Sequence, residues 1–181
     1  HQKRNRVYAV QFRVGMMSQF IIKLENVLSN DERTYLLKES KKLLMSKKTL
    51  DELFEKDHPC DQTTSSLHRF QNFDHIHQKI LGRVIKETRQ NFAIRGSWVN
   101  KITYKNSSSS YMHTHESDLS VVYYVRKIPF FHKGTIFENE GLIECSQNSA
   151  IVFPSNMKHT ASSVYFPLDR YTLVLELLHY E

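Results

Sequence analysis

Apolar positions along this 181-residue chain change their period part-way. In the first half they recur at helical spacing; in the second they form short runs and alternations, divided by Pro, Gly, Asn and Ser. FIIKLENVL (Phe20–Leu28) predicts a first strand. Ser29-Asn30-Asp31-Glu32 follows with a capping side chain and acids in a first turn, so a helix starts there. Leu36, Leu37, Leu43 and Leu44, with lysines between them, carry it as an amphipathic helix to about Met45. A second short helix is expected at Leu50–Lys56, then a polar loop at His58–Ser66 containing Pro59. A longer helical pattern runs from Phe73 to about Phe92, with Ile76, Ile80, Val84 and Ile85 on its apolar side.

After Gly96 the texture becomes β-like. WVNKITY (Trp98–Tyr104) alternates as a strand, and KNSSSS makes a turn. YMHTH, LSVVYYV, GTIFE, GLIEC, AIVFP and YTLVLELL then follow as six short strand candidates at fairly regular spacing. Helices first and strands second predict an α+β domain: a sandwich or jelly-roll barrel in the C-terminal half, with helices packed on one outer face. Residues 1–17 read as an N-terminal arm, partly of non-native origin, and 18–181 as a single domain, with helices at about 29–92 and the barrel at about 97–179. No internal repeat is present.

Bulk composition narrows the function only slightly. A formal charge of +6 suits an anionic partner such as a nucleic acid, but Lys and Arg are scattered rather than gathered into a block. Cys60 and Cys145 lie in unrelated contexts, which argues for two thiols in a reducing compartment rather than a disulfide framework. No apolar run approaches the roughly 20 residues of a membrane span. The basic HQKRNRVYAVQFRVG start, broken by Gln11 and Arg13, is a poor signal peptide, so a cytoplasmic protein is expected.

The chemistry sits in YMHTHESD (Tyr111–Asp118), just before the apolar LSVVYYV. In an extended segment i and i+2 share a face, so His113 and His115 project together, as imidazoles holding a transition metal would. Alone the pair is weak, because a chain with ten histidines contains HxH by chance; His75-Ile76-His77 is a second case. Those two fall in a helix, where i and i+2 diverge by ~200°, and read as surface or packing residues. Downstream, IVFPSNMKHT places His159 just after an apolar strand. On the last strand Arg170, Thr172, Val174 and Glu176 share one face, and Tyr171, Leu173, Leu175 and Leu177 the other. An arginine fork beside a hydroxyl is suited to clamping a carboxylate. Taken alone, Arg170 is better explained as an exposed arginine at a strand start.

Together these features resemble the Fe(II)/2-oxoglutarate-dependent oxygenases, within them the short prolyl-4-hydroxylase-like group, over roughly Trp98 to Leu178. Tyr104 ends WVNKITY where similar enzymes carry a pocket tyrosine. His113 stands in place of the HxD histidine, and VVYYV resembles the family's IYYL segment, aligning Tyr124 with a tyrosine that reaches the distal carboxylate of 2-oxoglutarate. NSAIVFPSNMKH resembles the run that delivers the second metal histidine, here His159. Arg170 and Thr172 fit the RxS-like pair that binds the same carboxylate. The resemblance implies a double-stranded β-helix (cupin-like) core and Fe(II) as cofactor. It further implies 2-oxoglutarate and O2 as cosubstrates, and oxidative decarboxylation coupled to substrate hydroxylation.

One position departs from that pattern: the residue two after the first histidine is His115, not Asp. Three readings stay open. His113, His115 and His159 form a three-histidine site; or the loop bends so that Asp118 or Glu116 supplies a carboxylate beside His115; or the site no longer binds iron well. Three neutral imidazoles leave the full charge of Fe²⁺, favouring anionic 2-oxoglutarate while holding the ion less tightly. His58–Phe70, Lys105–Ser110 and Lys127–Lys133 are expected at the mouth of the site. Peptidyl proline is the substrate by analogy only. The competing functions are a catalytically silent cupin-like module that binds a polyanion or a protein, and a three-His metal dioxygenase that needs no cosubstrate.

Overall fold

The computed structural model describes residues 20–50, 61–105, 111–165 and 168–181. The arm at 1–17, the helix expected beyond Leu50, Cys60 and residues 106–110 of the serine-rich turn lie outside the described residues.

Helix α1 (Asn30–Leu50) starts where the pattern placed it and runs beyond the expected end near Met45. Ser29 Oγ accepts the Glu32 N–H at 3.2 Å, and Glu32 Oε2 accepts the Ser29 N–H at 2.8 Å. This reciprocal capping box satisfies donors that a helix start otherwise leaves open. Helix α2 (Asp74–Thr88) buries Ile76, Ile80 and Val84 completely. It does not continue to Phe92. Arg89 adopts a left-handed conformation, φ 57°, and its N–H bonds back to the Ile85 carbonyl, closing the helix.

Phe92 instead opens an eleven-residue strand, β3 (Phe92–Ile102), longer at its start than the segment expected from Trp98. The other strands are β1 (Ile22–Leu24), β2 (Asp61–Gln62), β4 (Leu119–Arg126), β5 (Thr135–Phe137), β6 (Gly141–Ile143), β7 (Ala150–Pro154), β8 (His159–Ala161) and β9 (Arg170–His179). They form a six-stranded sheet, β1-β7-β4-β9-β3-β2, and a three-stranded sheet, β6-β5-β8, paired antiparallel throughout. Three expectations are corrected. Phe20–Leu28 yields only the three residues of β1. The loop at 58–66 contains β2. YMHTH is not a strand but touches β8 through a single bridge, His113 to His159.

The two faces of the large sheet divide the molecule into layers. Val121, Tyr123, Val125, Leu173, Leu175 and Leu177 pack with Leu36, Leu44, Ile76, Ile80 and Val84 of the helices. The alternate residues Val122, Tyr124 and Val174 meet Trp98, Phe137, Phe153, Cys145 and Met157 on the other side. Within β4, Val121–Val125 therefore form an unbroken apolar run, because both faces of the strand are covered. Each fully buried aliphatic side chain in these layers contributes about 1.5–3 kcal/mol of transfer free energy.

Two residues fix connections that bear on the site. Asn148 sits at φ 64°; its Oδ1 accepts from the Leu28 N–H (3.0 Å) and the Tyr123 hydroxyl (2.8 Å), and its Nδ2 donates to the Leu28 carbonyl (2.7 Å). It ties the entry to α1 onto the large sheet. Gly134, just before β5, lies so close to β6 that an added Cβ would fall 1.7 Å from the Ile143 carbonyl oxygen. Only glycine permits that approach.

Candidate metal centre

The bridge between His113 and His159 sets up the site. Each donates its backbone N–H to the other's carbonyl at 3.0 Å, and the His115 N–H bonds the Ser155 carbonyl at 2.9 Å. The three imidazoles meet at ring-centroid separations of 4.6 Å (His113–His159), 5.0 Å (His113–His115) and 5.2 Å (His115–His159). One ring nitrogen from each lies within 4.8 Å of the others, the one such cluster among the described residues.

Every Nδ1 in this cluster already has a partner. His113 Nδ1 lies 3.0 Å from the Tyr111 carbonyl, His159 Nδ1 lies 2.9 Å from the Met157 carbonyl, and His115 Nδ1 lies 3.0 Å from Glu176 Oε1. These neighbours accept, so each ring carries its proton on Nδ1 and keeps the Nε2 lone pair for an ion. Burial drives the imidazoles of His115 and His159 down to about 4, reinforced by the neighbouring histidines, so both are neutral and ligand-competent at ordinary pH. Three imidazoles, each with Nδ1 already engaged, fit a first-row transition metal; the donor set alone does not choose among iron, zinc and copper.

The cluster opens into a cavity of about 520 Å³ between the two sheets. Strand β9 contributes Arg170, Thr172, Val174 and Glu176, in the alternation expected of it. Arg170 is 1 % exposed, a guanidinium buried in the cavity wall. Its Nη1 donates to Ser162 Oγ at 2.8 Å and its Nη2 to the Ser162 carbonyl at 2.7 Å. Tyr124 also lines the cavity, its hydroxyl 2.7 Å from Thr135 Oγ1, and burial raises its pKa, so the phenol stays protonated. Arg170, Tyr124 and Thr172 thus line one cavity with the histidines.

Other residues lie elsewhere. Tyr104 follows the end of β3, is half exposed and does not line the cavity; that strand lends Trp98, Asn100 and Ile102 instead. Asp118 faces away, its Oδ2 accepting the His179 N–H at 2.7 Å. Glu116 is 93 % exposed beside Arg95. Neither carboxylate belongs to the histidine cluster. Of the second HxH, His75 is exposed, whereas His77 is buried with Nε2 2.9 Å from Ser97 Oγ. Thr135, Ser162 and the contact of Glu176 with His115 were not anticipated. Glu176 alone carried a signal, its parity with Arg170 along β9.

No family model and no characterised protein matches this chain by sequence. Its structure, however, is similar to a viral collagen prolyl hydroxylase from Paramecium bursaria Chlorella virus-1 (TM-score 0.64, 13 % identity, covering 99 % of this chain and 100 % of that one). It is similar also to AviO1 from Streptomyces viridochromogenes (TM-score 0.67, 12 % identity, 90 % of each chain). A third neighbour is SnoN, a non-heme α-ketoglutarate-dependent epimerase of nogalamycin biosynthesis (TM-score 0.66, 11 % identity, 87 % of this chain and 78 % of that one). The layered helices, the two antiparallel sheets and the cavity between them are thus the double-stranded β-helix fold of the Fe(II)/2-oxoglutarate-dependent oxygenases.

Proposed function

We propose that this chain is an Fe(II)- and 2-oxoglutarate-dependent dioxygenase of the hydroxylase type, with His113, His115 and His159 as the metal ligands. One observation carries the reading: a three-imidazole cluster, a buried arginine and two hydroxyl side chains line a single cavity. Arg170 and the hydroxyls of Thr172 and Tyr124 bind the distal carboxylate of 2-oxoglutarate, the fork giving two parallel donors and the hydroxyls further ones. Ser162 holds the guanidinium in orientation before the cosubstrate arrives. Val122, Val174, Ile102 and Trp98 form apolar wall, which excludes water and strengthens each of those hydrogen bonds. Bound iron supplies O2 activation coupled to decarboxylation of 2-oxoglutarate to succinate and CO2, and the protein supplies orientation and a shaped cavity. Tyr104 is given no part in the anchor. Peptidyl proline, the substrate class in the viral neighbour's name, is the first substrate to try.

The test is anaerobic addition of Fe(II) and then 2-oxoglutarate, followed by its weak visible charge-transfer band, and then succinate formation on admitting O2. His159→Ala abolishes both, while His75→Ala, on the exposed face of α2, leaves both unchanged. A protein that binds Fe(II) without developing the band or forming succinate refutes the assignment.

A further inference from the structure

The three histidines differ in what holds their Nδ1. His113 and His159 lean on backbone carbonyls, but His115 leans on a carboxylate, Glu176 Oε1, at 3.0 Å. Both side chains of that pair are largely withdrawn from solvent, at 14 % and 17 % exposure. Glu176 belongs to the cavity face of β9, in line with Arg170, Thr172 and Val174. Across the sheet it faces Gly96, next to an irregularity in the β3–β9 register. A Cβ on Gly96 would stand 3.3 Å from Glu176 Oε2, tighter than ordinary packing, so the missing side chain leaves the carboxylate its room. Arg95 and Glu116, paired with each other, act on the Glu176 carboxyl in opposite directions.

We infer that Glu176 is a positioning residue of the metal centre, holding His115 in the Nδ1–H tautomer and supplying from behind the ring a negative charge that the ligand set itself lacks. This rests on the metal-centre reading above. On an imidazole ring Nδ1 and Nε2 point in widely divergent directions, so a carboxylate bonded to Nδ1 stands behind the ligand and not on the ion. There it makes the imidazole a more basic donor, as carboxylate–histidine–metal arrangements do. A site that lacks a directly bound aspartate thereby recovers part of that charge through His115. The arrangement also restrains the ring, because a planar imidazole held at Nδ1 cannot rotate its Nε2 away from the ion without breaking the contact.

The experiment is Co(II) titration of the full chain, read by ligand-field bands and by competition with a chelator. Wild type, Glu176→Gln, Glu176→Leu and His115→Ala are compared, each with its metal-free thermal unfolding. Glu176→Leu loses acceptor and charge and is expected to weaken Co(II) about 10–100-fold, the range typical of such outer partners. Glu176→Gln keeps an acceptor oxygen but no charge; it is expected between the two, with shifted bands. Co(II) affinity and bands in either folded variant indistinguishable from wild type would overturn the inference. So would binding abolished by Glu176→Leu but retained by His115→Ala, which would make Glu176 itself the ligand. If wild type binds no Co(II), the metal-centre reading fails and the inference that rests on it falls with it, whereas Co(II) binding left unchanged by the Glu176 variants overturns the inference alone.

Discussion

Arg170 offers the sharpest perturbation, because its place in the wall leaves little room for a compensating contact. It is 1 % exposed, and two of its nitrogens are aligned by Ser162 at 2.8 and 2.7 Å. In Arg170→Gln the cavity keeps the hydroxyls of Tyr124 and Thr172 but loses the charged fork. A hydrogen bond to a charged group contributes about 1.5–3 kcal/mol, which corresponds to a roughly 10–150-fold rise in the KM for 2-oxoglutarate. In the proposed reading the anchor holds the end of the cosubstrate away from the reacting atoms, so the expected loss is one of uniform binding: KM rises while kcat at saturation is largely kept. Arg170→Lys retains the charge without the fork and falls between wild type and Gln. Ser162→Ala removes one of the two contacts that orient the guanidinium and leaves the carbonyl contact in place, so it raises the same KM by less than Arg170→Gln does. Succinate release over a range of 2-oxoglutarate concentrations reads all three, with thermal unfolding as a control for folding. A folded Arg170→Gln enzyme whose KM for 2-oxoglutarate is unchanged would refute the anchor and, with it, the reason for preferring a cosubstrate-dependent reaction.

Three further outcomes concern the scaffold. Gly134→Ala places a Cβ against the Ile143 backbone, so β5 or β6 must shift; overpacking of this kind costs about 1–3 kcal/mol, read as a lower midpoint of thermal or urea unfolding. Asn148→Ala loses three hydrogen bonds and puts a Cβ-bearing residue at φ 64° without a local polar compensation, whereas Asn148→Gly relieves the backbone alone; Gly is therefore expected to be the less damaging of the two by about 1 kcal/mol in denaturant titrations. Burial lowers the His77 pKa to about 4 from an ordinary 6.5. The unfolded chain then binds the extra proton first, so this stabilisation is complete above pH 6.5 and is lost as pH falls toward 4. In metal-free protein, His77→Leu should flatten the acid limb of stability over that interval; an unaltered slope would contradict the assignment.

What could be read from residues alone divides along physical lines. The face shared by Arg170, Thr172, Val174 and Glu176 follows from strand parity, which needs no knowledge of neighbours, and β9 displays it. Ser29 with Glu32 likewise carries its own local evidence. The end of α2 was illegible, because Arg89 is not the glycine that normally marks a left-handed helix end. The apolar run on either side of it then passed for one helix up to Phe92. Strand β8, three residues long, exists through its partners β5 and His113 rather than through its own composition. For the site, His113 and His159 were visible as a histidine after a turn and a histidine after an apolar strand. The status of His115 was not, because it depends on where Asp118 and Glu116 turn and on Glu176, sixty-one positions downstream.

The mutual backbone bonds of His113 and His159 have a thermodynamic consequence. They already join the ends of the long excursion that carries β4 to β7, so an ion that links the same two residues closes a ring that is already closed. In a zinc finger much of the metal's value is that it draws a wandering chain together; here that entropy is spent on the bridge. Stabilisation by the ion then reduces to mass action, growing with the logarithm of its free concentration relative to Kd. Such a centre can be emptied and refilled on a standing scaffold, so that metal supply governs its occupancy without governing whether the protein exists in folded form.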